Sequence, residues 1–276
     1  MSRLHLPAVT LCAITSVNVA ATAAAMKRCL EKVRFGDALL LTDTATDLPS
    51  EIRRIAIEPV RTAEAYSHFL LRELGQHLQT SHCLIVQWDG FILDADQWDQ
   101  RFLDYDYIGA TWPQFADSCS VGNGGFSLRS KRLLDALHDP EIAPTHPEDV
   151  AICRTNRPLL ERRYGIRFAD ADTAARFSYE RRQAVPRTFG FHGVFNMIGV
   201  MGPDAFWEVY RTLDHRSPAY VDFGRVFRDL GSTRGATARR LRLSAEYLEH
   251  RLRRFQRRCQ AVQAASSEAA SPIDLK

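Results

Sequence analysis

The stretch "LIVQWDGFILD", residues 84–94, decides the fold class because a continuous apolar run ends in a tryptophan, an acid and a glycine. Two similar runs, "AVTLCAIT" at 8–15 and "ALLLTD" at 38–43, also end in polar residues. The segment 63–78, "AEAYSHFLLRELGQHL", has its apolar residues at helical spacing. Apolar strands that alternate with helices are typical of a largely parallel α/β sheet. We therefore expect a Rossmann-type mixed sheet flanked by helices, with ligands at the carboxyl ends of its strands.

The chain has 276 residues, enough for one large domain with an appendage. We expect the α/β domain to span residues 1–205 and a C-terminal helical extension to span 206–262. The remaining residues, 263–276, have no apolar pattern that would support a core. Such a segment is expected to be a disordered tail.

The helical extension contains the sharpest periodic pattern in the sequence. Apolar residues recur there at alternating spacings of three and four, the a and d pattern of a coiled coil. They are Ala238, Leu241, Ala245, Leu248, Leu252, Phe255, Cys259 and Val262. The same segment holds nine arginines, from Arg234 to Arg258, against Glu246 and Glu249, in a chain whose net charge is +3.

Three interpretations of residues 238–262 stay open. The segment is an oligomerisation or docking helix, a helix that lies on an anionic membrane surface, or a solvated helix packed on its own domain. Nucleic acid is disfavoured as a partner because the aromatic residues are few and Phe255 falls on the apolar seam.

The six cysteines are scattered without any CxxC pair, which favours reduced thiols and a cytoplasmic protein over a disulfide framework. The N-terminal run superficially resembles a signal peptide, but polar residues such as Thr10 and Asn18 interrupt it. No other stretch approaches the length of a membrane span. We expect a cytoplasmic location, either free or peripheral at the inner face of the membrane.

Four short motifs carry residues suited to chemistry. They are "QWDG" with Asp89, "GNGG" at 122–125, "PED" with Glu148 and Asp149, and "FGFHG" with His192. Each has an ordinary structural explanation when it is taken alone. A strand-end acid or an acidic pair at a helix start often serves only as a cap, and a glycine cluster is often only a turn.

Taken in order, "QWDGF", "YDYIGATW", "VGNGGFSLRS", "PEDV" and "FGFHG" are similar to motifs of a bacterial family of GT-A-like glycosyltransferase domains. The glycine and Glu-Asp-Val elements also resemble those of β-1,3-glycosyltransferases. The resemblance covers roughly residues 8–200. It implies a GT-A-like fold that transfers a sugar from a nucleotide-sugar, typically UDP-linked, to a glycan or lipid-linked acceptor during polysaccharide biosynthesis.

The resemblance also implies a metal site. Asp89 corresponds to the second acid of the Asp-x-Asp motif that contacts Mn²⁺ or Mg²⁺ in this fold, and His192 corresponds to a late metal ligand. Gln87 replaces the first acid, and a neutral amide oxygen is a weaker ligand than a carboxylate. If no metal binds, His192 and an arginine such as Arg187 have to neutralise the leaving diphosphate.

The remaining site residues are assigned by the same resemblance or by their place at strand ends. Asp149 is expected to be the base of an inverting transfer, with Glu148 bonding the sugar or the acceptor, although a retaining reaction stays open. Trp112 is expected to stack on the acceptor sugar. The expected donor-binding residues are Thr15, Ser16, Asp43, Gln87, Asp89, Gly124 and Gly125.

Two alternatives compete with an active transferase. The first is an inactive nucleotide-binding module of the same fold that acts in assembly or scaffolding, with Gln87 as the sign of lost catalysis. The second is a dinucleotide oxidoreductase. It is disfavoured because "AITSVNVA", which follows the first strand, lacks the G-x-G-x-x-G of a pyrophosphate-binding turn.

Overall fold

The computed structural model describes residues 3–181, 187–232 and 235–269, with the side chains of the last helix described as far as Gln260. The nine strands in this part of the chain are β1 (Leu4–Ile14), β2 (Val33–Leu41), β3 (Arg53–Ile55), β4 (His82–Val86), β5 (Phe91–Ile92), β6 (Tyr107–Ile108), β7 (Phe126–Ser130), β8 (Ser178–Tyr179) and β9 (Gly190–Phe191). The helices in the same part are α1 (Val19–Lys32), α2 (Ala63–Arg72), α3 (Lys131–Ala136), α4 (Glu148–Val150), α5 (Arg157–Tyr164), α6 (Ala171–Phe177), α7 (Val194–Met201), α8 (Pro203–Thr212), α9 (Ser217–Val221), α10 (Phe223–Asp229) and α11 (Ala236–Ala269).

Six strands form the main sheet in the order β3-β2-β1-β4-β7-β6. The strands β3, β2, β1 and β4 run parallel to one another, whereas β7 is antiparallel to both β4 and β6. A smaller sheet has the order β5-β9-β8, with β5 antiparallel to β9. The fold is therefore a mixed α/β sheet flanked by helices and followed by a C-terminal helical region, as the sequence predicts.

Alternating side chains of the central strands enter two separate apolar cores, one on each face of the main sheet. On β1, Leu11 and Ala13 belong to the core that contains α1 and the C-terminal helices. Cys12 and Ile14 belong to the other core, which contains α2 and α3. This two-sided burial explains why the strands read as continuous apolar runs rather than as alternating ones.

The C-terminal helical region packs onto the first of these cores. Phe206 and Tyr210 of α8, together with Leu243 of α11, are fully buried members of the same apolar cluster as β1. The loop after α8 is joined to the start of α1 by two hydrogen bonds. The Asn18 side chain donates to the His215 carbonyl, and the His215 amide donates to the Asn18 side chain, each at 2.8 Å.

Helix α11 contains the whole of the predicted heptad segment and continues to Ala269. The heptad side chains from Ala238 to Cys259 face solvent rather than the domain. Of the predicted tail, residues 270–276 lie outside the described part of the chain. Among the described residues, no helix combines the length and the apolar character that a membrane crossing requires.

Candidate active site

Asp89 lies in a tight turn immediately after β4, at the carboxyl end of a parallel strand. The amide of Gly90 donates to the carbonyl of Gln87 at 3.1 Å, and this bond closes the turn. The next strand, β5, pairs with β9 so that Phe91 faces Phe191. The amide of Gly193 then donates to the carbonyl of Asp89 at 3.0 Å. Two motifs that are far apart in sequence are thus brought together by the pairing of two short strands.

The His192 side chain occupies the centre of this arrangement. Its Nε2 lies 3.4 Å from Asp89 Oδ1 and 3.3 Å from Gln87 Oε1. Its Nδ1 lies 3.3 Å from Glu180 Oε1. Burial alone would lower the pKa of His192, but the Asp89 and Glu180 carboxylates outweigh burial and raise that pKa to about 10. His192 is therefore an imidazolium at neutral pH.

The last two glycines of the "GNGG" motif, Gly124 and Gly125, make room for two of the predicted site residues. A Cβ at Gly125 would lie 2.0 Å from His192 Nε2, and a Cβ at Gly124 would lie 2.0 Å from Glu148 Oε1. The turn also holds Asn123 at a φ of 67°, a conformation that asparagine tolerates better than most residues. The side chains of His192 and Glu148 thus occupy the space beside the two glycines, and the predicted contact of Gly124 and Gly125 with a donor sugar stays a prediction.

Glu148 and Asp149, at the start of α4, point in different directions. The Glu148 side chain is buried and accepts a hydrogen bond at 3.1 Å from Arg129, which is itself completely buried on β7. Asp149 is half-buried, and its Oδ2 accepts a hydrogen bond at 3.1 Å from the amide of Gly124. Of the acidic pair, Asp149 is thus the more accessible carboxylate, and Glu148 is held by an internal ion pair.

The pKa of Asp149 is raised to about 6. Burial is the largest cause, and the neighbouring Glu148 carboxylate is the next. A helix N-terminus favours the ionised form of a nearby carboxylate. However, the backbone hydrogen bonds from Val150 and Gly124 offset only part of the effect of burial. Asp149 is still mostly ionised at neutral pH, but its affinity for a proton is well above that of an ordinary aspartate.

Asp149 and His192 line the same pocket, which has a volume of about 490 Å³. Gln87, Gly124 and Gly125 line it as well. Tyr66 contributes a buried hydroxyl that has no hydrogen-bond partner in the described structure. A pocket of this size, lined mostly by polar and charged side chains, suits a polar small molecule.

Trp112 lines the pocket but is only 6% exposed. Its ring lies against Gly122, where an added Cβ would come within 2.1 Å of it, and it meets the Phe115 ring edge-on. Most of this side chain is therefore used in packing. Little of the ring is therefore free to contact an acceptor sugar.

Thr15, Ser16 and Asp43 are not among the described residues that line the pocket. The Ser16 hydroxyl accepts a hydrogen bond from the Val60 amide at 2.8 Å, and Asp43 pairs with Arg61 at 2.6 Å. The Thr15 hydroxyl is bonded to the Val17 carbonyl. These three residues do lie at the strand ends, as predicted, but their polar atoms are engaged in local structure.

The described residues contain no cluster of three or more histidine, cysteine or acidic side chains arranged to hold a metal ion. Asp89 and Glu180 contact opposite nitrogens of His192, so the three side chains do not converge on one point. One observation does suit a cation. Asp89 Oδ1 is buried, lies at ion-pair distance from His192 and yet makes no hydrogen bond. The site therefore offers one carboxylate oxygen and a nearby amide oxygen, but no preformed metal cage.

Three residues of the site were not identified from the sequence. Glu180 binds His192, Arg129 binds Glu148, and Arg181 lines the pocket while pairing with Asp222 at 2.6 Å. Arg187, which we expected to assist His192, is exposed and is not among the described lining residues. Glu180 and Arg181 follow "FSY", with no glycine, proline or repeated spacing to mark them.

Comparison with known proteins gives three findings. No curated protein matches the chain. A solved structure described as "a glycosyltransferase involved in the glycosylation of the major capsid of PBCV-1" is similar over 74% of this chain and 100% of its own, with 12% identity and a TM-score of 0.44. A family model matches residues 49–192, more than half of the chain and the segment that contains every motif from Asp89 to His192. The chain therefore belongs to the family described as "Protein of unknown function (DUF5672)".

Proposed function

We propose that this protein is a glycosyltransferase that moves a sugar from a nucleotide-sugar, such as a UDP-sugar, to a hydroxyl group of a glycan or lipid-linked acceptor. The observation that carries the proposal is Asp149. It is a half-buried carboxylate with a pKa of about 6, and it faces a pocket whose other wall holds Gln87 and His192. Asp89 lies behind this wall, 3.4 Å from His192 Nε2. A base with a pKa just below neutral is ionised yet still binds a proton well.

In the proposed reaction, the acceptor oxygen attacks the anomeric carbon of the donor while its proton passes to a carboxylate oxygen of Asp149. The bond between the anomeric carbon and the diphosphate oxygen breaks, and its electron pair leaves with the diphosphate. The configuration at the anomeric carbon is inverted. Two backbone amides hold Asp149 in place, that of Gly124 through Oδ2 at 3.1 Å and that of Val150 through Oδ1 at 2.8 Å. Each carboxylate oxygen keeps a further lone pair that can take up the proton.

Glu148 contributes to this step through its charge. Because it lies beside Asp149, its carboxylate raises the pKa of Asp149 and makes the base stronger. Arg129 fixes Glu148 in that position through a buried ion pair. The predicted contact between Glu148 and substrate thus gives way, in this proposal, to an electrostatic role.

The leaving diphosphate requires positive charge near Asp89. The Asp89 and Glu180 carboxylates flank His192, and Arg181, the other basic residue on this side of the pocket, is paired with Asp222. A divalent cation held by Asp89, with the Gln87 amide oxygen beside it, would neutralise the diphosphate as it leaves. Mn²⁺ and Mg²⁺ remain the proposed ions. The neutral Gln87 predicts weaker binding than a pair of acids would give.

The experiment is a donor panel of UDP- and GDP-sugars, with release of free nucleotide measured in Mn²⁺, in Mg²⁺ and in EDTA. We expect slow hydrolysis of at least one donor, faster in the presence of the metal. Asp149→Asn keeps the shape of the side chain but cannot take up a proton, so turnover should fall by a factor of about 10² to 10⁴. Asp96→Asn is the matched control, because Asp96 is exposed and lies outside the pocket.

Nucleotide binding without turnover of any donor, or equal turnover by wild type and Asp149→Asn, would contradict the proposal. The first result would instead identify the protein as an inactive nucleotide-binding module. Calorimetric titration with UDP separates that module from a protein that does not bind nucleotides.

A further inference from the structure

One face of α11 is fixed against the rest of the protein. Leu243 is completely buried, and the Tyr247 ring stacks on the Phe223 ring with centroids 4.2 Å apart. Glu246 accepts a hydrogen bond from the Tyr210 hydroxyl at 2.5 Å and pairs with Arg216 at 3.0 Å. These contacts determine the rotation of the helix about its own axis.

The opposite face is consequently turned toward solvent, and this is the face that carries the heptad seam. Its four large apolar side chains are more exposed than any other large apolar residue in the described structure except Val221. They are Leu241 at 67%, Leu248 at 60%, Leu252 at 62% and Phe255 at 66%. A continuous exposed apolar surface of this kind marks an interaction site.

We propose that a second copy of this chain covers the seam, so that two α11 helices form an antiparallel coiled coil centred between Glu246 and Tyr247. In this register Ala238 faces Phe255, Leu241 faces Leu252, and Ala245 faces Leu248 of the second copy. Each small alanine of one helix therefore faces a large side chain of the other helix. The layers fill evenly, as interdigitating knobs and holes require.

The charges beside the seam favour the same register. The antiparallel arrangement places Arg242 of each helix next to Glu249 of the other, on both sides of the two-fold axis. It also directs the arginine-rich segment 251–258 of each helix toward opposite ends of the dimer. A parallel pair would place those two segments side by side, with strong repulsion between like charges. The opposed helix dipoles add to the preference.

The shape of the seam indicates a helix as the occupant rather than a lipid surface. A helix that lies on a membrane presents a broad apolar face, whereas only the a and d positions are apolar here, with Ala at two of them. The flanking positions include Glu249 and Gln256 as well as arginines, which suits pairing with another protein helix.

Light scattering of the full-length protein after size-exclusion chromatography tests the dimer. At concentrations of tens of micromolar and above, we expect a mass near twice the 31.3 kDa of one chain, which falls toward one chain on dilution. Leu248→Glu should give monomer throughout, and in dilute solution its melting temperature should equal that of the wild type because Leu248 is exposed. Gln260→Glu adds the same charge outside the seam and should leave the dimer intact. A wild type that is monomeric at every concentration would overturn the proposal.

A charge exchange tests the register. Arg242→Glu and Glu249→Arg should each weaken the dimer by about fivefold or more, and the double variant should recover most of the affinity, since the pair is restored between copies. Failure of the double variant to recover would overturn the antiparallel register.

Cys259 provides an independent readout of direction, since it is exposed and occupies an a position. In the antiparallel register the two Cys259 residues lie about 37 Å apart, because 25 residues at 1.5 Å each separate them along the helix axis. In a Cys119→Ser background, oxidant should therefore produce no disulfide-linked dimer. Rapid cross-linking through Cys259 would indicate a parallel pair. Binding to phosphatidylserine vesicles that Leu248→Glu abolishes, without any dimer in solution, would identify a membrane surface instead.

Discussion

Asp149 is subject to opposing influences on its pKa. Burial and the Glu148 carboxylate raise it, whereas the amides of Gly124 and Val150 and the charge of Arg129 lower it. The first group prevails, and the pKa becomes about 6, compared with an ordinary value of 3.8. The folded protein therefore binds this proton more tightly than the unfolded chain does. The stabilising effect is complete below the ordinary pKa and is lost as the pH rises through about 6.

The pH dependence of turnover follows from the same value. Because the base has to be ionised, kcat/KM for the best donor should rise with pH along a limb with an apparent pKa of about 6 and then level off. Glu148→Gln removes the neighbouring charge and should move this limb to lower pH. The measurement is kcat/KM across the acidic and neutral range, with circular dichroism to verify that each protein stays folded. A limb centred near 4, or one that Glu148→Gln leaves unmoved, would exclude Asp149 as the titrating base.

At the start of β7, the side chains that pack against the backbone restrict which residues can occupy the sequence. Gly124 and Gly125 precede the strand, and the side chains of Glu148 and His192 occupy the space where their Cβ atoms would lie. Because β7 pairs with β4, which leads to Asp89, this one turn positions both walls of the pocket. The glycines are thus required by close packing between elements.

Gly125→Ala should destabilise the protein by about 1–3 kcal/mol, because the new Cβ would overlap His192 Nε2 and force the ring or the strand to shift. Gly199→Ala in α7 is the control. No atom lies within 4 Å of the Cβ it would add, and replacing a helical glycine should stabilise the protein by about 0.5–1 kcal/mol. Urea denaturation of both variants measures the difference. If the two variants had equal free energies of unfolding, the His192 side chain would be able to shift without any loss of stability.

The elements differ in how well the sequence predicts them. β1, β2 and β4 are recognisable because both of their faces are buried, which leaves unbroken apolar runs in the sequence. β7 is harder to recognise, because its Arg129 looks like a surface residue. It is buried only because Glu148, from a distant helix, neutralises it. The resemblance implied that Asp89 and His192 share one site, whereas Glu180 has no local pattern that marks it as their neighbour.

At the scale of the whole molecule, the C-terminal helices contribute buried side chains to the core, whereas the last part of α11 is exposed to solvent. α8 and α10 cover the same face of the main sheet as α1, and the first turns of α11 close over them through Leu243. From residue 251 onward, every described side chain of α11 up to Gln260 is exposed. The boundary between the structural and the protruding part of the chain therefore lies within one helix, near His250, rather than between two domains.

Two truncations test this division. A chain that ends at Met201 lacks Phe206, Tyr210, Leu230 and Leu243, all of which are completely buried. Each loss costs about 2–5 kcal/mol, so together they approach or exceed the 5–15 kcal/mol that a whole protein typically has, and cooperative unfolding should disappear. A chain that ends at His250 loses only exposed described side chains, and its free energy of unfolding should stay within about 0.5 kcal/mol of the full-length value. Thermal denaturation in dilute solution, where the full-length protein is monomeric, compares the three chains. If the chain that ends at Met201 unfolded cooperatively at the same midpoint as the full-length protein, the α/β part would fold without its C-terminal helices.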